Sequence, residues 1–353
     1  MSNIVCIGAG QTGRGFINRF FRNDRVIFLD KNDELVKKLQ ERKEYSVSFG
    51  STRSPMTLNN FEAYDINSSE AMDSLSNANL IMISIGRNHL KELTKPLESA
   101  LKKNTEKSID IVLCENGVNV KRELSAIESI PGVHLAEAII FCTTLKEKNS
   151  LDIFSEDLDY LPYDAIALGH KLNYENLVPE EHLDILMQRK IYTYNCISAI
   201  ISYLGYYKGY EIYSDAANDE DINLCIQNIV HTLNQCICRE YNIAEKEQER
   251  FSNLAIRKFK NKEIIDTVER NARDVDRKLG EKERIIAPLL IMNKYGVFSK
   301  DLLLVAASAI YYGEKTNTLK KLPSDYFKIL PKKQQDMITQ YVDDLFKNKK
   351  GRI

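Results

Sequence analysis

The chain has 353 residues, 43% of them hydrophobic, and its 49 Lys and Arg nearly cancel its 50 Asp and Glu to leave a net charge of −1. At roughly 150 residues per domain that length predicts two domains, and the apolar fraction supplies a core that excludes global disorder. The balanced charge excludes a surface built for nucleic acid or an anionic membrane, and no apolar run reaches the ~18 residues of a membrane-spanning helix. Met1-Ser2-Asn3-Ile4 carries no charged leader region and no cleavage site, which predicts a cytoplasmic protein. The seven cysteines include no CxxC pair and read as buried thiols. The five histidines (His89, His134, His170, His182, His231) are scattered, so no metal site is expected.

In chain order, residues 3–7 (NIVCI) predict a short strand, then a glycine-rich turn and a helix to about residue 22. Residues 25–29 predict a second strand, 33–42 a helix, and 45–49 and 57–64 further short strands. Residues 80–85 (LIMISI) and 109–114 (IDIVLC) are continuous apolar runs, as in central parallel strands covered on both faces. Helical stretches at 89–103 and 118–128 lie between and after them, and 135–141 closes the sheet. This alternation is the α/β signature. After about residue 185 the texture changes. Residues 191–204, 222–241, 260–276, 283–295, 302–312 and 334–346 all read as helices, and 302–310 (LLLVAASAI) is apolar enough to be a core helix. Residues 347–352 read as a solvated basic tail. The predicted architecture is a mostly parallel, doubly wound α/β domain over 1–185 and an all-α domain over 186–353.

Gly8-Ala9-Gly10-Gln11-Thr12-Gly13 matches GxGxxG between the first strand and its helix. Gly8 permits a tight turn, Gly10 lets a pyrophosphate approach the backbone, and Gly13 lets helix and strand pack closely. Asp30 ends the second strand, twenty residues after Gly10. A carboxylate there accepts hydrogen bonds from ribose hydroxyls and repels a 2′-phosphate, which predicts a Rossmann domain that takes NAD. Ser84, Ile85 and Gly86, and likewise Glu115 and Asn116, end later strands. They can border the nicotinamide ribose or be ordinary strand-to-helix turns.

The sequence resembles the polyol-specific long-chain dehydrogenases/reductases, the mannitol dehydrogenase family, and within it the mannitol-1-phosphate 5-dehydrogenases. The residues that carry the likeness are 8–16 (GAGQTGRGF), Asp30, residues 84–86, 114–116 (CEN), 189–205 (RKIYTYNCISAIISYLG), 250–253 (RFSN), and 277–279 (RKL) with Arg284 and Pro288. The resemblance implies a Rossmann domain plus a helical substrate domain, no metal, and NAD-linked interconversion of a ketose phosphate and a polyol phosphate. The implied partner is a small sugar or sugar phosphate, with no nucleic acid or membrane, and the protein is expected as a monomer or homodimer. The family's catalytic Lys-x4-Asn-x2-His maps to Lys190, Asn195 and Ser198, with serine in place of the histidine. Residues 141–147 (FCTTLKE) likewise lack the family's Ser…Val-Asp-Arg.

Oxidising a polyol needs a base for the hydroxyl proton. A lysine serves when burial or a neighbouring cation lowers its pKa, and Arg189 is expected to contribute that push. Asn195 can donate to the developing alkoxide. At about 100° per residue, Lys190, Asn195 and Ser198 fall within an arc of ~140° on one helix. Arg270, Arg273, Arg277, Lys278 and Arg284 are candidate phosphate ligands, or else a basic face paired with interleaved acids. Two alternatives to a polyol-phosphate dehydrogenase stay open: a degenerate protein that binds NAD or a sugar phosphate, and a dehydrogenase shifted to an unphosphorylated sugar or a uronate.

Overall fold

Alternate residues of the first strand, β1 (Asn3–Ile7), feed two different cores. Ile4 and Cys6 join Val26, Phe28 and Phe16 on one face of the sheet. Val5 and Ile7 join Ile27, Leu29, Leu75 and Leu97 on the other. That double burial is why the strands read as unbroken apolar runs. The computed structural model describes residues 3–103, 107–117 and 119–347, and the chain divides into two compact units between Met187 and Gln188.

The first unit is built on a six-stranded sheet with β2 (Arg25–Asp30), β5 (Phe61–Asp65), β6 (Leu80–Ile83), β7 (Ile109–Leu113) and β8 (Val133–Glu137). The order is β5-β2-β1-β6-β7-β8 and every pairing is parallel. The order in which strands are added reverses between β1 and β6, so the crevice beyond their carboxyl ends is the topological switch point. The helices are α1 (Gln11–Gly15), α2 (Asp33–Arg42), α3 (Ser69–Asn77), α4 (Thr94–Leu101), α5 (Ser125–Glu128) and α6 (Ala165–Leu168). Two smaller sheets accompany it. One joins β3 (Tyr45–Ser48), β4 (Met56–Leu58), β9 (Thr144–Lys146) and β10 (Ile153–Ser155); the other pairs β11 (Leu161–Asp164) with β12 (Leu177–Glu180).

Several expected elements are cut shorter. The helix expected to run to residue 22 stops at Gly15 and resumes as a 3-10 turn, Ile17–Phe21. Its glycines serve close packing: a Cβ on Gly15 would stand 2.3 Å from Ile153, and glycine weakens a helix. Residues 57–64 are two strands in different sheets. The stretch 89–103 is a 3-10 turn, Arg87–Leu93, leading into α4. The stretch 118–128 becomes a 3-10 turn, Val120–Leu124, and α5, with Val118 outside the described residues. Most of the basic tail also lies outside them.

The second unit is helical: α8 (Cys196–Lys208), α9 (Tyr213–Ala217), α10 (Glu220–Tyr241), α11 (Glu245–Lys260), α12 (Val268–Ala272), α13 (Val275–Lys278), α14 (Ile286–Lys294), α15 (Lys300–Lys315) and α16 (Lys332–Lys347). Helix α7 (Leu183–Lys190) precedes them and spans the division. α15 is buried along most of its length. The single helix expected over 260–276 is instead a loop followed by α12 and α13, broken where Asp274 takes a φ of +64°. Among the described residues no helix is long and apolar enough to cross a membrane.

Candidate active site

In the first unit the glycine turn is locked between three strand ends. The Gly8 N–H donates to the Leu29 carbonyl and the Ser84 N–H to the Ile7 carbonyl, each at 2.8 Å. Gly8 holds a φ of +100°, and a Cβ there would lie 2.4 Å from the Ser84 carbonyl oxygen, so only glycine fits. A Cβ on Gly13 would lie 2.0 Å from the Gly8 oxygen. Gly10 differs: a Cβ there would meet nothing within 4 Å. It opens on a cavity of about 310 Å³ lined by Gly8, Asp30, Lys31, Ile66, Ser84, Ile85, His89, Glu92 and Pro96, among others.

Asp30 does two jobs with its backbone neighbours. One carboxylate oxygen accepts from the Ala9 N–H at 2.8 Å, the other from the Asn32 N–H at 2.9 Å. Each oxygen keeps a lone pair for a ligand hydroxyl. Lys31, next to it, reaches Glu92 and His89, both at 3.4 Å. Glu115 is buried, and one of its oxygens accepts from both the Ile85 and Gly86 N–H groups at 2.7 Å. Burial raises its pKa, opposed by those two hydrogen bonds. Its visible work is to shape the turn at Ser84–Gly86, while the neighbouring Asn116 is exposed. Gln11 and Thr12 are half-buried in the first turn of α1, a five-residue helix too short for much of a macrodipole. The turn, the open face over Gly10 and the free capacity of Asp30 fit a dinucleotide.

Arg14 was not singled out from the sequence. It is 1% exposed, donates from Nε to the Ala9 carbonyl at 2.7 Å and also bonds the Leu151 carbonyl. It ties the glycine turn to the strand-forming segment behind it. The only signal was its place directly after the GxGxxG run.

In the second unit the segment carrying Lys190 is not a plain α-helix. Residues Ile191–Asn195 form a π-turn, closed by the Cys196 N–H on the Ile191 carbonyl. An i→i+5 turn brings Lys190 and Asn195, five residues apart, into register on one face. This corrects the ~140° arc expected for an α-helix. A buried polar network pins the turn. The Gln248 amide donates to Thr193 Oγ1 at 2.9 Å and Asn234 Oδ1 at 3.1 Å, and accepts from Arg189 Nε at 3.2 Å.

Lys190 is 5% exposed. Burial, reinforced by Lys258 and Arg284, brings its pKa down to about 7. Arg189 is not among those causes: its guanidinium lies over Phe251 and pairs with Glu247 at 2.9 Å. Asn195 is half-buried and Ser198 buried. Of the five candidate phosphate ligands, Arg270 pairs with Asp266 at 2.5 Å, and Arg277 with Asp274 at 2.5 Å and Glu283 at 2.7 Å. Arg273 is exposed. Lys278 is buried and Arg284 half-buried. Lys278 donates to the Asn271 carbonyl at 2.6 Å, and burial beside Arg284 and Arg277 brings its pKa down to about 6. Burial also lowers the Arg284 pKa, and Arg284 has Glu283 at 3.4 Å.

Two family models match the chain. The family described as "Mannitol dehydrogenase Rossmann domain" matches residues 2–146, and "Mannitol dehydrogenase C-terminal domain" matches residues 182–350. The chain belongs to the mannitol dehydrogenase family. Curated relatives include a mannitol-1-phosphate 5-dehydrogenase of Clostridium acetobutylicum, 29% identical, with 87% of this chain and 86% of that protein covered. Another, of Shouchella clausii, is 25% identical, with 87% and 88% covered. Among solved structures, a Pseudomonas fluorescens mannitol 2-dehydrogenase ternary complex with NAD and D-mannitol superposes with a TM-score of 0.73. It shares 12% identity, with 98% of this chain and 91% of that one covered. A substrate-free D-sorbitol dehydrogenase gives 0.71 at 14% identity, with 98% and 92% covered. These two establish shared fold. The chain is thus an oxidoreductase of the mannitol dehydrogenase family.

Proposed function

We propose that this protein is an NAD-dependent dehydrogenase that interconverts a ketose phosphate and a polyol phosphate, of the fructose 6-phosphate and mannitol 1-phosphate type. The observation that carries the chemistry is Lys190: a buried lysine whose pKa is brought to about 7, in register with an amide donor. A group that titrates near neutrality can act as base in one direction and acid in the other. Residues Gly8 to Gly13, Asp30, Ser84, Ile85 and Gly86 would hold NAD, with Glu115 shaping the last turn. When bound, the cofactor accepts or returns a hydride. In the oxidative direction the Lys190 amine takes the substrate hydroxyl proton, and Asn195 donates to the oxygen as its negative charge grows. Arg284 adds positive potential that favours an anionic substrate.

A second reading, an unphosphorylated polyol, gains from the ion pairs that occupy Arg270 and Arg277. One experiment tests both. NADH oxidation is followed against ketoses, ketose phosphates and uronates, and the ketose 6-phosphates are expected to turn over fastest. Faster turnover of a plain ketose selects the second reading. No oxidation on any member rejects the dehydrogenase assignment.

A further inference from the structure

Tyr213 opens α9, and the structure fixes it from several sides. Ile212 pairs with Thr267 across an isolated antiparallel bridge. The Tyr213 N–H donates to the Asp266 carbonyl at 2.9 Å. The ring meets Phe259 edge-on, with centroids 5.7 Å apart. α9 lies hard against α8, since a Cβ on Gly205 would stand 2.8 Å from Ala216 Cβ. The side chain held there is 5% exposed, and its hydroxyl has no hydrogen-bond partner. It faces the Ser198 hydroxyl at a geometry outside a hydrogen bond. Buried hydroxyls are nearly always paired, because an unmet one has given up water for nothing. Tyr207 shares the lack of a partner, but nine residues after Ser198 it sits on the opposite face of α8.

Ser198 is buried as well. Three residues after Asn195, it follows the π-turn on the Lys190 side of the helix. Its side chain is short, and the tyrosine hydroxyl reaches toward it from the neighbouring helix. Arg284 acts electrostatically on both Lys190 and Tyr213.

We propose that Tyr213 donates the hydrogen bond to the substrate oxygen whose proton Lys190 takes, and that Ser198 is the short residue that leaves this hydroxyl its space. This rests on the dehydrogenase reading above. The division of labour is chemical. Burial holds the Tyr213 phenol well above its ordinary pKa, so it stays protonated while Lys190 titrates. In oxidation the substrate O–H proton passes to the Lys190 nitrogen, the C–H hydride passes to NAD, and the C=O bond forms. Tyr213 keeps its proton throughout and donates to the oxygen while that oxygen is most negative.

The test compares wild type with Tyr213→Phe. The phenylalanine ring keeps the packing and removes a hydroxyl with no structural partner, so the melting temperature and NADH affinity are expected to hold. kcat/KM is expected to fall about 10- to 100-fold, mostly in kcat, with the pH midpoint near 7 retained. If wild type turns over and Tyr213→Phe stays within twofold of it, the Tyr213 assignment is overturned while the dehydrogenase reading stands. If wild type oxidises no NADH on the panel, that reading fails. Both proteins are then titrated with mannitol 1-phosphate in the presence of NAD. Weaker binding by Tyr213→Phe supports the hydrogen bond, and equal or absent binding overturns it.

Discussion

The two candidate sites bury polar groups in opposite ways. In the first, the carboxylates around the glycine turn are bonded to backbone: Asp30 to the Ala9 and Asn32 N–H groups, Glu115 to those of Ile85 and Gly86. In the second, burial depresses the pKa of Lys190, Lys278 and Arg284, and the Tyr213 hydroxyl has no partner. A satisfied network makes a rigid cradle, as binding a large cofactor requires. Buried cations and an unmet donor cost stability, and they gain by the arrival of an oxyanion. On the function proposed above, the contrast separates a site that holds from a site that reacts.

The largest effect expected from breaking that contrast is at Lys190. Lys190→Ala should lower kcat by about a hundredfold or more with NADH binding intact, because the cradle lies in the other unit. Unchanged turnover would remove the lysine from the mechanism. In wild type, polyol oxidation needs the neutral amine, so its rate should rise with pH through about 7. Ketone reduction needs the ammonium and should fall through the same range. A pH–rate series in both directions checks the two signs.

The same lysine should appear as a stability cost. Its folded pKa lies below its unfolded value, so protonating it favours the unfolded chain. The penalty is complete below pH 7 and fades between about 7 and 10.5. Lys190→Met should therefore be more stable than wild type by about 2–3 kcal/mol at pH 6, with the gap closing toward pH 10. Thermal melts across that range measure it, and a gap independent of pH would contradict the buried-cation account.

How far each unit is legible in the sequence follows from the range of the forces involved. Gly8, Gly13 and Asp30 answer to constraints a few residues wide, so spacing alone places them. Central strands announce themselves through apolar runs. By contrast, α11 was not expected, because three of its buried residues are Gln248, Ser252 and Ala255, which hide the amphipathic period. β9 and β10, at three residues each, are too short to leave a pattern. The π-turn breaks the 3.6-residue periodicity on which the helix expectation rests. Lys190 and Asn195 stand out through resemblance to a family, whereas Lys258 on α11, Arg284 in the turn before α14 and Tyr213 on α9 lie outside that motif. No local pattern carries that information.

A smaller effect is expected in the cradle. Asp30→Ala removes the carboxylate that repels a 2′-phosphate and frees the Ala9 N–H. The preference for NADH over NADPH should shrink by roughly tenfold, the value of one charged hydrogen-bonding partner. Fluorescence titration of both cofactors measures it. Equal or tighter NADPH binding by wild type would show that Asp30 does not select the cofactor. kcat at saturating NADH should change little, which distinguishes this unit from the one that carries Lys190.

The smallest expected effect tests whether charge in the second unit is available or already used. Arg270 is one of five cations that composition alone offers to a phosphate. In the structure its guanidinium pairs with Asp266 at 2.5 Å, and its side chain remains 37% exposed. A partly exposed pair of this kind contributes at most about 1 kcal/mol. Asp266 would not be stranded by the loss of Arg270, because it also accepts from the Thr267 N–H and the Asn271 amide, each at 2.8 Å. Arg270→Ala should thus leave KM for the phosphorylated substrate within about twofold of wild type, with little change in melting temperature. Arg284 is different: its side chain is only 13% exposed, and its carboxylate neighbour Glu283 also serves Arg277. Arg284→Gln, with no charge to offer, should raise that KM by tenfold or more. A large rise from Arg270→Ala would mean that its ion pair opens for substrate, and that the cations exposed on the surface of this unit, rather than those it buries, bind the phosphate.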